Sequence, residues 1–358
     1  MDEKVAVAAV SADAARAGAR AADLGGNAVD AALAAGLTAA VTHPGMCSLG
    51  GAVFVTVWPP RGGPVVVDGA AVTPGRGLAS EERGGGAVEV RLGFGGGVDT
   101  EVGPGSVAVP GLLAGCSEAA RRYGRLPWEE LLAPVLERVR GGFPLPASCH
   151  AFLVHAHDPI YARDPRSRTA LTGEDGDLLA PGGLVRPDGL EETLELLARE
   201  GARTFYRGEL GRRIADHVRS GGGSLTRRDL RAYRPRVRRP LRMELEGWRV
   251  ATNPAPAVGG RRLAALLALS DGRPAGDWDA GDVAWLVRAQ RAVLGHGRPA
   301  ERGLTGPARS VLGGAGSDRG GGQPGTPATL HTSAVDGEGR ICSVTMSDGY
   351  GSGVMPPG

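Results

Sequence analysis

Residues 327–336 read PATLHTSAVD, and residues 340–347 read RICSVTMS. Both runs are rich in β-branched and small residues, and a short GEG loop at 337–339 joins them. Short runs of this composition on either side of a glycine-containing loop predict a β-hairpin. Because side chains alternate along a strand, the odd-numbered residues from Thr329 to Val335 are expected on one face and the even-numbered residues on the other.

A glycine-rich connector, residues 313–325 with the sequence GGAGSDRGGGQPG, precedes this hairpin. The composition disfavours both a helix and a packed strand, so an accessible segment leads to Thr329. One interpretation is a flexible linker before an ordinary hairpin. The other is that the chain is cut before Thr329, so that the new α-amino group, with a pKa of about 7.7–8.0, acts as base for the threonine hydroxyl. The local pattern leaves both interpretations open.

The charge of the chain is almost balanced. Its 358 residues include 41 basic and 39 acidic side chains, which gives a net charge of +2. Lys4 is the only lysine, and the arginines are scattered among acidic residues. Because a nucleic-acid surface needs clustered charge or stacking aromatic residues, and aromatic residues are only 4% here, we expect no nucleic-acid partner. The length allows one large domain or two modest ones.

The cysteines and the first residues indicate the compartment. Cys47, Cys116, Cys149 and Cys342 are far apart and form no CxxC motif, so four buried, reduced thiols are expected. The amino-terminal residues lack the charged head and apolar core of a signal peptide. No apolar run reaches the roughly 18 residues of a membrane-spanning helix. We therefore expect a soluble, cytoplasmic protein without a membrane partner.

Helical and extended patterns alternate along the rest of the sequence. Strands are predicted at residues 5–10, 53–58, 64–68 and, as a pair around Gly247, 241–252. Helices are predicted at residues 12–24, 28–40, 109–123, 126–141, 189–200, 208–219, 227–233, 260–269 and 282–294. Residues 84–105 are glycine-rich and predicted to be irregular. Helices that alternate with antiparallel hairpins indicate a layered α/β or α+β domain.

Several motifs occur in the same order as in one known family. Residues 25–32 read GGNAVDAA, residues 48–54 read SLGGAVF, and residues 329–336 read TLHTSAVD. They resemble the GGNAVDAA, GIGGGGF and TTHFSVVD segments of the γ-glutamyltranspeptidase family. Further matches are VPGLLAG at 109–115, RYGRLPW at 122–128, GARTFYRG at 201–208, LTRRDLRAY at 225–233 and NPAPAVGG at 253–260. The ordered set covers nearly the whole chain.

This resemblance implies an α+β fold, an N-terminal-nucleophile hydrolase-like αββα sandwich with two antiparallel sheets between helices. It implies a precursor that cleaves itself between Ala328 and Thr329. Residues 1–312 would be the large-subunit-like region, 313–328 the connector, and 329–358 the start of the small-subunit-like region, as a hairpin only. The small-subunit half would then be incomplete, and the hairpin would expose a sheet edge unless a second polypeptide pairs with it.

The resemblance also assigns roles to single residues. Thr329 takes the position of the nucleophile. Ser347 falls where the family has a threonine whose hydroxyl supports the nucleophile, although a solvated serine at a strand end is an equal alternative. Asp348, Gly50 and Gly51 are the expected substrate-binding residues. We expect no metal and no cofactor.

The substrate site departs from the family pattern. Ala70 stands where the family holds the substrate α-carboxylate with an arginine, and Arg61 and Arg76 are more typical of surface arginines. Residues 347–353 are shorter than in the family and lack its asparagine, so Asp348 either bonds a substrate amino group or forms the turn. The family's oxyanion hole comes from a small-subunit region absent from this sequence.

The implied activity is transfer or hydrolysis of γ-glutamyl amides such as glutathione. Two alternatives stay open. In the first, the chain is a degenerate or truncated member that acts as a non-catalytic partner. In the second, it is an acylase for a different acyl group, because Ala70 removes the feature that selects glutamate.

The histidines support no separate site. His150, His155, His157 and Asp158 lie within nine residues, and His-x-His spacing can bind a metal on a strand. The segment resembles a helix-to-loop region and has no partner cluster, so a structural or solvated role is favoured. His331 stands at the histidine of the family's TTH motif, where packing and catalytic roles are equally plausible.

Overall fold

The computed structural model describes residues 4–94, 96–245, 247–270, 276, 278–294 and 328–357. Apart from Ala328, the connector predicted at 313–328 lies outside these residues. The chain divides into two compact units. The first comprises Met1–Gly63, Val67–Arg236 and Gly325–Gly358, and the second Pro64–Val66 and Val237–Pro324.

The strands largely follow the predicted pattern. They are β1 (Val5–Ala8), β2 (Ala52–Trp58), β3 (Val65–Gly69), β4 (Val88–Leu92), β5 (Val98–Val102), β6 (Phe143–Pro144), β7 (Leu184–Val185), β8 (Arg236–Arg238), β9 (Leu241–Leu245), β10 (Trp248–Thr252), β11 (Ala328–Asp336) and β12 (Ile341–Gly349). The predicted pair around Gly247 is β9 with β10, which are antiparallel.

The helices agree with the predicted positions to within a few residues, and α5, α6 and α8 are additional. They are α1 (Ala12–Asp23), α2 (Ala28–Thr42), α3 (Leu112–Tyr123), α4 (Trp128–Val139), α5 (Ala147–Ala156), α6 (Pro165–Leu171), α7 (Leu190–Glu200), α8 (Arg203–Arg207), α9 (Glu209–Ser220), α10 (Arg227–Ala232), α11 (Val258–Ser270) and α12 (Ala280–Leu294). Among the described residues, no helix has the length and hydropathy that crossing a membrane requires.

The predicted hairpin forms the middle of the main sheet. The strand order of this sheet is β1-β11-β12-β2-β3-β8. Strand β11 pairs antiparallel with β1 and β12, and β12 pairs antiparallel with β2. The expectation that the hairpin leaves an unpaired edge is therefore wrong, because β1 and β2, from the beginning of the chain, flank both of its sides.

Helix α2 packs against one face of this sheet and is buried along nearly its whole length. Asn27 caps it: the side-chain oxygen accepts the Val29 N–H at 2.8 Å, and the Asp30 carboxylate accepts the Asn27 N–H at 2.9 Å. The alanine-rich surface lets the sheet approach closely, and the buried Thr332 hydroxyl donates to the Ala32 carbonyl at 3.0 Å. Helix and hairpin are thus joined by polar as well as apolar contact.

The two faces of the hairpin have different surroundings. Leu330, Thr332 and Ala334 are buried on the side of α2, and β12 alternates in the same way. On the other face, Val335 and Ile341 remain 42% and 45% exposed. The predicted alternation is confirmed, and within the described residues the odd-numbered face is open.

The prediction for residues 84–105 is wrong. They contain β4 and β5, which pair antiparallel along their whole length. Val88, Val90 and Leu92 alternate with charged residues, a pattern typical of a strand, but the many flanking glycines conceal it.

The four cysteines are free and buried, as predicted. Burial raises the pKa of the Cys116 thiol to about 12 and that of Cys149 to about 12. These thiols therefore stay protonated near neutral pH and behave as small apolar side chains.

Candidate active site

Thr329 lies directly opposite Ser347 and Asp348. The register pairs on either side are Ala328↔Gly349 and Leu330↔Met346. One residue of β11 therefore faces two residues of β12, which is the definition of a β-bulge. Thr329 is exposed, on the open face of the sheet. Bulges are frequent next to active sites because they redirect side chains, so the structure brings the two predicted catalytic residues to one irregular position.

His331 belongs to a cluster of hydroxyl groups on the same open face. Its Nδ1 lies 2.9 Å from the Thr345 hydroxyl, and its Nε2 lies 3.0 Å from the Ser333 hydroxyl and 3.2 Å from that of Ser343. Burial lowers the pKa of His331, so the neutral ring is favoured near pH 7. These bonds fix the orientation of the ring beside Thr329.

Gly50 and Gly51 form the turn that enters β2. The Gly51 carbonyl accepts the N–H groups of Gly111 at 3.0 Å and Leu112 at 2.9 Å, where α3 begins. A Cβ on Gly51 would lie 3.0 Å from the Ser347 carbonyl oxygen and 3.0 Å from the Cys47 sulfur. The absence of a side chain at Gly51 therefore allows this turn to lie against the end of β12.

Asp348 has a poorly solvated carboxyl group. Burial raises its pKa, and hydrogen bonds from the Ser48 hydroxyl and from its own backbone N–H oppose that change. Its Oδ1 is buried and has no hydrogen-bond partner within the described part of the chain. The neighbouring Tyr161 hydroxyl donates to the Tyr350 carbonyl at 3.3 Å, and burial, followed by the charge of Asp348, raises the pKa of Tyr161 well above its usual range.

A cavity of about 650 Å³ adjoins the bulge. Ser347, Asp348, Gly50 and Gly51 all line it, together with many apolar side chains. Thr329 is not among the lining residues; its bulge position places it beside them at the end of the sheet. The structure thus gathers four of the five predicted site residues around one cavity and the fifth next to it.

Basic side chains are missing from the cavity wall. Among the described residues that line it, none is arginine, lysine or histidine. Ala70 donates its N–H to Asp68 and accepts the Tyr233 hydroxyl at 2.7 Å, so it acts through its backbone. Arg61 and Arg76 are exposed and do not line the cavity. The carboxylate clamp of the family thus has no replacement here among the described residues.

Sequence reasoning missed one wall of the cavity. Residues 351–357 form it, held by bonds from Met355 N–H to Asp164 at 3.2 Å and from the Ser167 hydroxyl to the Gly353 carbonyl at 3.1 Å. Asp164 also caps α6 through the Arg166 N–H at 2.9 Å. The Asp-Pro dipeptide at the start of α6 signals that cap, but nothing in the sequence signals the contact with the distant segment.

Two of the histidines near α5 contact neighbouring side chains. His157 is buried, with Nδ1 2.7 Å from Asp158 and Nε2 3.1 Å from the Thr172 hydroxyl. His155 packs against the ring of Phe94. No group of three metal-ligating side chains occurs among the residues that the structure describes.

Solved structures define the class of fold. A cephalosporin acylase from Bacillus halodurans superposes with a TM-score of 0.77 at 25% identity, covering 99% of this chain and 68% of that one. A gamma-glutamyltranspeptidase from Pseudomonas nitroreducens, complexed with L-DON, gives a TM-score of 0.68 at 28% identity and covers 86% and 90%. The fold is the α+β fold of the N-terminal-nucleophile hydrolases, as predicted.

The sequence gives the family. Residues 14–295 match the family model "Gamma-glutamyltranspeptidase", and the matched residues end before Thr329. A glutathione hydrolase proenzyme from Pseudomonas aeruginosa is 32% identical over 254 residues, which are 70% of this chain and 43% of that protein. The chain therefore belongs to the gamma-glutamyltranspeptidase family, and it spans less than half the length of this relative.

Proposed function

We propose that the chain carries the amide-cleaving centre of a γ-glutamyltranspeptidase-like hydrolase, with Thr329 as the nucleophile. The observation that supports this most is the bulge, in which Thr329 faces Ser347 and Asp348 next to a cavity of small-molecule size. Family membership agrees with it, since the relatives bear the names of hydrolases and acylases.

The first proposed step is self-cleavage between Ala328 and Thr329. The Thr329 hydroxyl oxygen attacks the Ala328 carbonyl carbon, and the C–N bond breaks as the nitrogen takes up a proton. Water then hydrolyses the resulting ester, which leaves the Ala328 carboxylate and a free amine on Thr329. The irregular pairing at the bulge favours this step, because the ladder does not hold Thr329 in regular strand geometry.

The second proposed step is turnover of an amide substrate. The free amine of Thr329 takes the proton of its hydroxyl, and the oxygen attacks the substrate carbonyl. The amide C–N bond breaks, the leaving amine receives that proton, and the acyl group remains as an ester on Thr329. Water or an acceptor amine then takes the acyl group and restores the hydroxyl.

The neighbouring residues have supporting roles in this proposal. The Ser347 hydroxyl, opposite Thr329, hydrogen-bonds the nucleophile and orients it. Asp348, Gly50 and Gly51 bind the substrate from the cavity wall.

We propose that a second polypeptide completes the site. The open face of the hairpin, with Val335 and Ile341 largely exposed, is the surface that it would cover. In this division residues 1–312 are large-subunit-like, 313–328 are the connector and 329–358 begin the small-subunit-like region. A cytoplasmic location agrees with four free, buried thiols.

Intact mass spectrometry of the purified chain tests the first step. We expect two fragments that separate between Ala328 and Thr329. Thr329→Ala removes the attacking hydroxyl and should leave one intact mass, whereas Thr56→Ala, a matched change on the same sheet face, should cleave normally. An intact wild-type chain would favour the non-catalytic alternative instead.

A chromogenic γ-glutamyl anilide tests the second step. If γ-glutamyl groups are the acyl substrate, wild type supplied with the second polypeptide should exceed Thr329→Ala by at least about a hundredfold, since a nucleophile carries the whole covalent route. Equal rates for the two proteins would reject γ-glutamyl turnover by Thr329, and equal rates together with an uncleaved chain would reject the enzyme hypothesis. The acylase alternative is supported by the described lining of the cavity, which contains no basic residue, and it predicts self-cleavage with poor turnover of γ-glutamyl compounds.

A further inference from the structure

The cavity beside the bulge has an unusual balance of charge. Its volume, about 650 Å³, suits a small acyl group, and its described lining is mostly apolar. The carboxylates among the described lining residues are Asp188 and Asp348. Asp188 is 82% exposed and pairs with Arg166 at 3.2 Å, so it is satisfied at the surface. Asp348 is therefore the other carboxylate of the described lining.

Asp348 offers an acceptor that the described protein does not use. Its buried Oδ1 has no hydrogen-bond partner, whereas the Ser48 hydroxyl bonds the same carboxyl group. A buried carboxylate oxygen without a donor is costly, and a ligand that brings a donor removes that cost. An ammonium group is the strongest such donor because the bond is charge-assisted.

A carboxylate on the ligand would be disfavoured in this cavity. None of the described lining residues is basic, so the lining offers no ion-pair partner. The charge of Asp348 would repel it across a poorly screened site. The cavity is thus matched to an acyl chain that has an amino group and lacks a carboxylate.

We propose that this cavity is the acyl site and that Asp348 selects amino-terminated acyl chains without a carboxylate, in place of γ-glutamyl groups. This inference rests on the proposed function, because Thr329 does not line the cavity and lies next to it at the bulge. It names the substrate class as amides of ω-amino acids, with the amine on Asp348 and the amide carbonyl toward Thr329.

Four small amides test the proposal by pairwise removal of groups. Glutamine has both charged groups, 4-aminobutanamide lacks the carboxylate, glutaramate lacks the amine, and butanamide lacks both. Calorimetry is performed on the full chain as Thr329→Ala, so that binding is measured without self-cleavage or turnover. We expect 4-aminobutanamide to bind about tenfold more tightly than butanamide and glutamine, and glutaramate to bind most weakly.

Two variants assign the preference to the cavity. Asp348→Asn should abolish the advantage of 4-aminobutanamide over butanamide and leave butanamide affinity unchanged. Ala71→Arg, on the lining, adds a cation and should raise glutaramate affinity about tenfold. Circular dichroism and thermal unfolding verify that both variants are folded.

Three results would overturn the inference. They are equal or tighter binding of glutamine, a preference that survives in Asp348→Asn, and lack of binding by all four amides. Because the tested protein cannot react, each of these results is independent of whether wild type cleaves itself. Failure of self-cleavage alone would contradict the proposed nucleophile and leave the binding result to stand.

Discussion

The hairpin β11–β12 carries an aspartate near each end, and the carboxyl groups of the two are satisfied very differently. At the turn, the fully buried Asp336 accepts the Arg340 guanidinium at 2.7 Å and the Ala28 N–H at 3.2 Å, as well as N–H groups of the turn itself. At the open end, Asp348 keeps one buried oxygen without a partner among the described residues. A saturated carboxylate stabilises a fold, whereas an unsaturated one next to a cavity indicates a ligand site.

Removal of the turn carboxylate should have the largest effect on stability. Asp336→Ala leaves the Arg340 charge partly buried and uncaps the amino terminus of α2, so we expect a loss of about 3–5 kcal/mol in the free energy of unfolding. Urea unfolding followed by circular dichroism measures it. Glu338→Ala removes a more exposed partner of the same arginine and should cost much less than Asp336→Ala. Similar losses in both variants would refute the structural role of Asp336.

At the cavity end, a backbone change should matter more than a change of charge. Gly51→Ala places a Cβ 3.0 Å from both the Ser347 carbonyl and the Cys47 sulfur, so we expect a loss of about 1–3 kcal/mol. A Cβ on Gly50 meets only the Ser48 hydroxyl oxygen at 3.5 Å, so Gly50→Ala is a matched control with little cost. Equal thermal shifts for the two variants would mean that the turn is not packed tightly against β12.

The middle of the hairpin provides an intermediate case. Thr332→Val removes the hydroxyl that bonds the Ala32 carbonyl at 3.0 Å but preserves the shape, so we expect a loss of about 1 kcal/mol. Thr345→Val alters a hydroxyl on the open face and should cost less. Chemical denaturation curves compare the two. A greater loss for Thr345→Val would show that the open face, not the face toward α2, holds the hairpin.

The smallest expected effect is a gain. Burial raises the pKa of Asp348 above its ordinary value of 3.8. Above pH 3.8 the folded state therefore binds more protons than the unfolded state, so the free energy of unfolding falls as the pH rises and Asp348 ionises. Asp348→Asn should therefore stabilise the protein at pH 7, and the gain should disappear in acid below the ordinary value. Unfolding measured across this range of pH tests the sign. A loss of stability at pH 7 would place Asp348 with Asp336 as a structural group.

Local features of the sequence predicted much of the hairpin and of α2. The alternation from Leu330 to Val335 set the buried face, and the helix predicted at 28–40 is the α2 that the structure contains. The family motifs supplied the site residues, of which Ser347 and Asp348 do lie opposite Thr329. These are properties of short segments or of collinear patterns.

Non-local pairing was the part that the sequence did not predict. The hairpin was expected at an edge because nothing in β1 or β2 signals that they flank it from more than 250 residues away. The same holds for Tyr161, which reaches the Tyr350 carbonyl through the tertiary fold alone. The bulge escaped prediction too, since it depends on how two strands align and not on either strand alone.

The position of β11 and β12 between β1 and β2 has a consequence for a chain cut at Ala328. The strands of the shorter product would lie between strands of the longer one and would be hydrogen-bonded to them on both sides. Scission would then change the number of polypeptides but not the number of particles: two bands under denaturing conditions, one species on a sizing column.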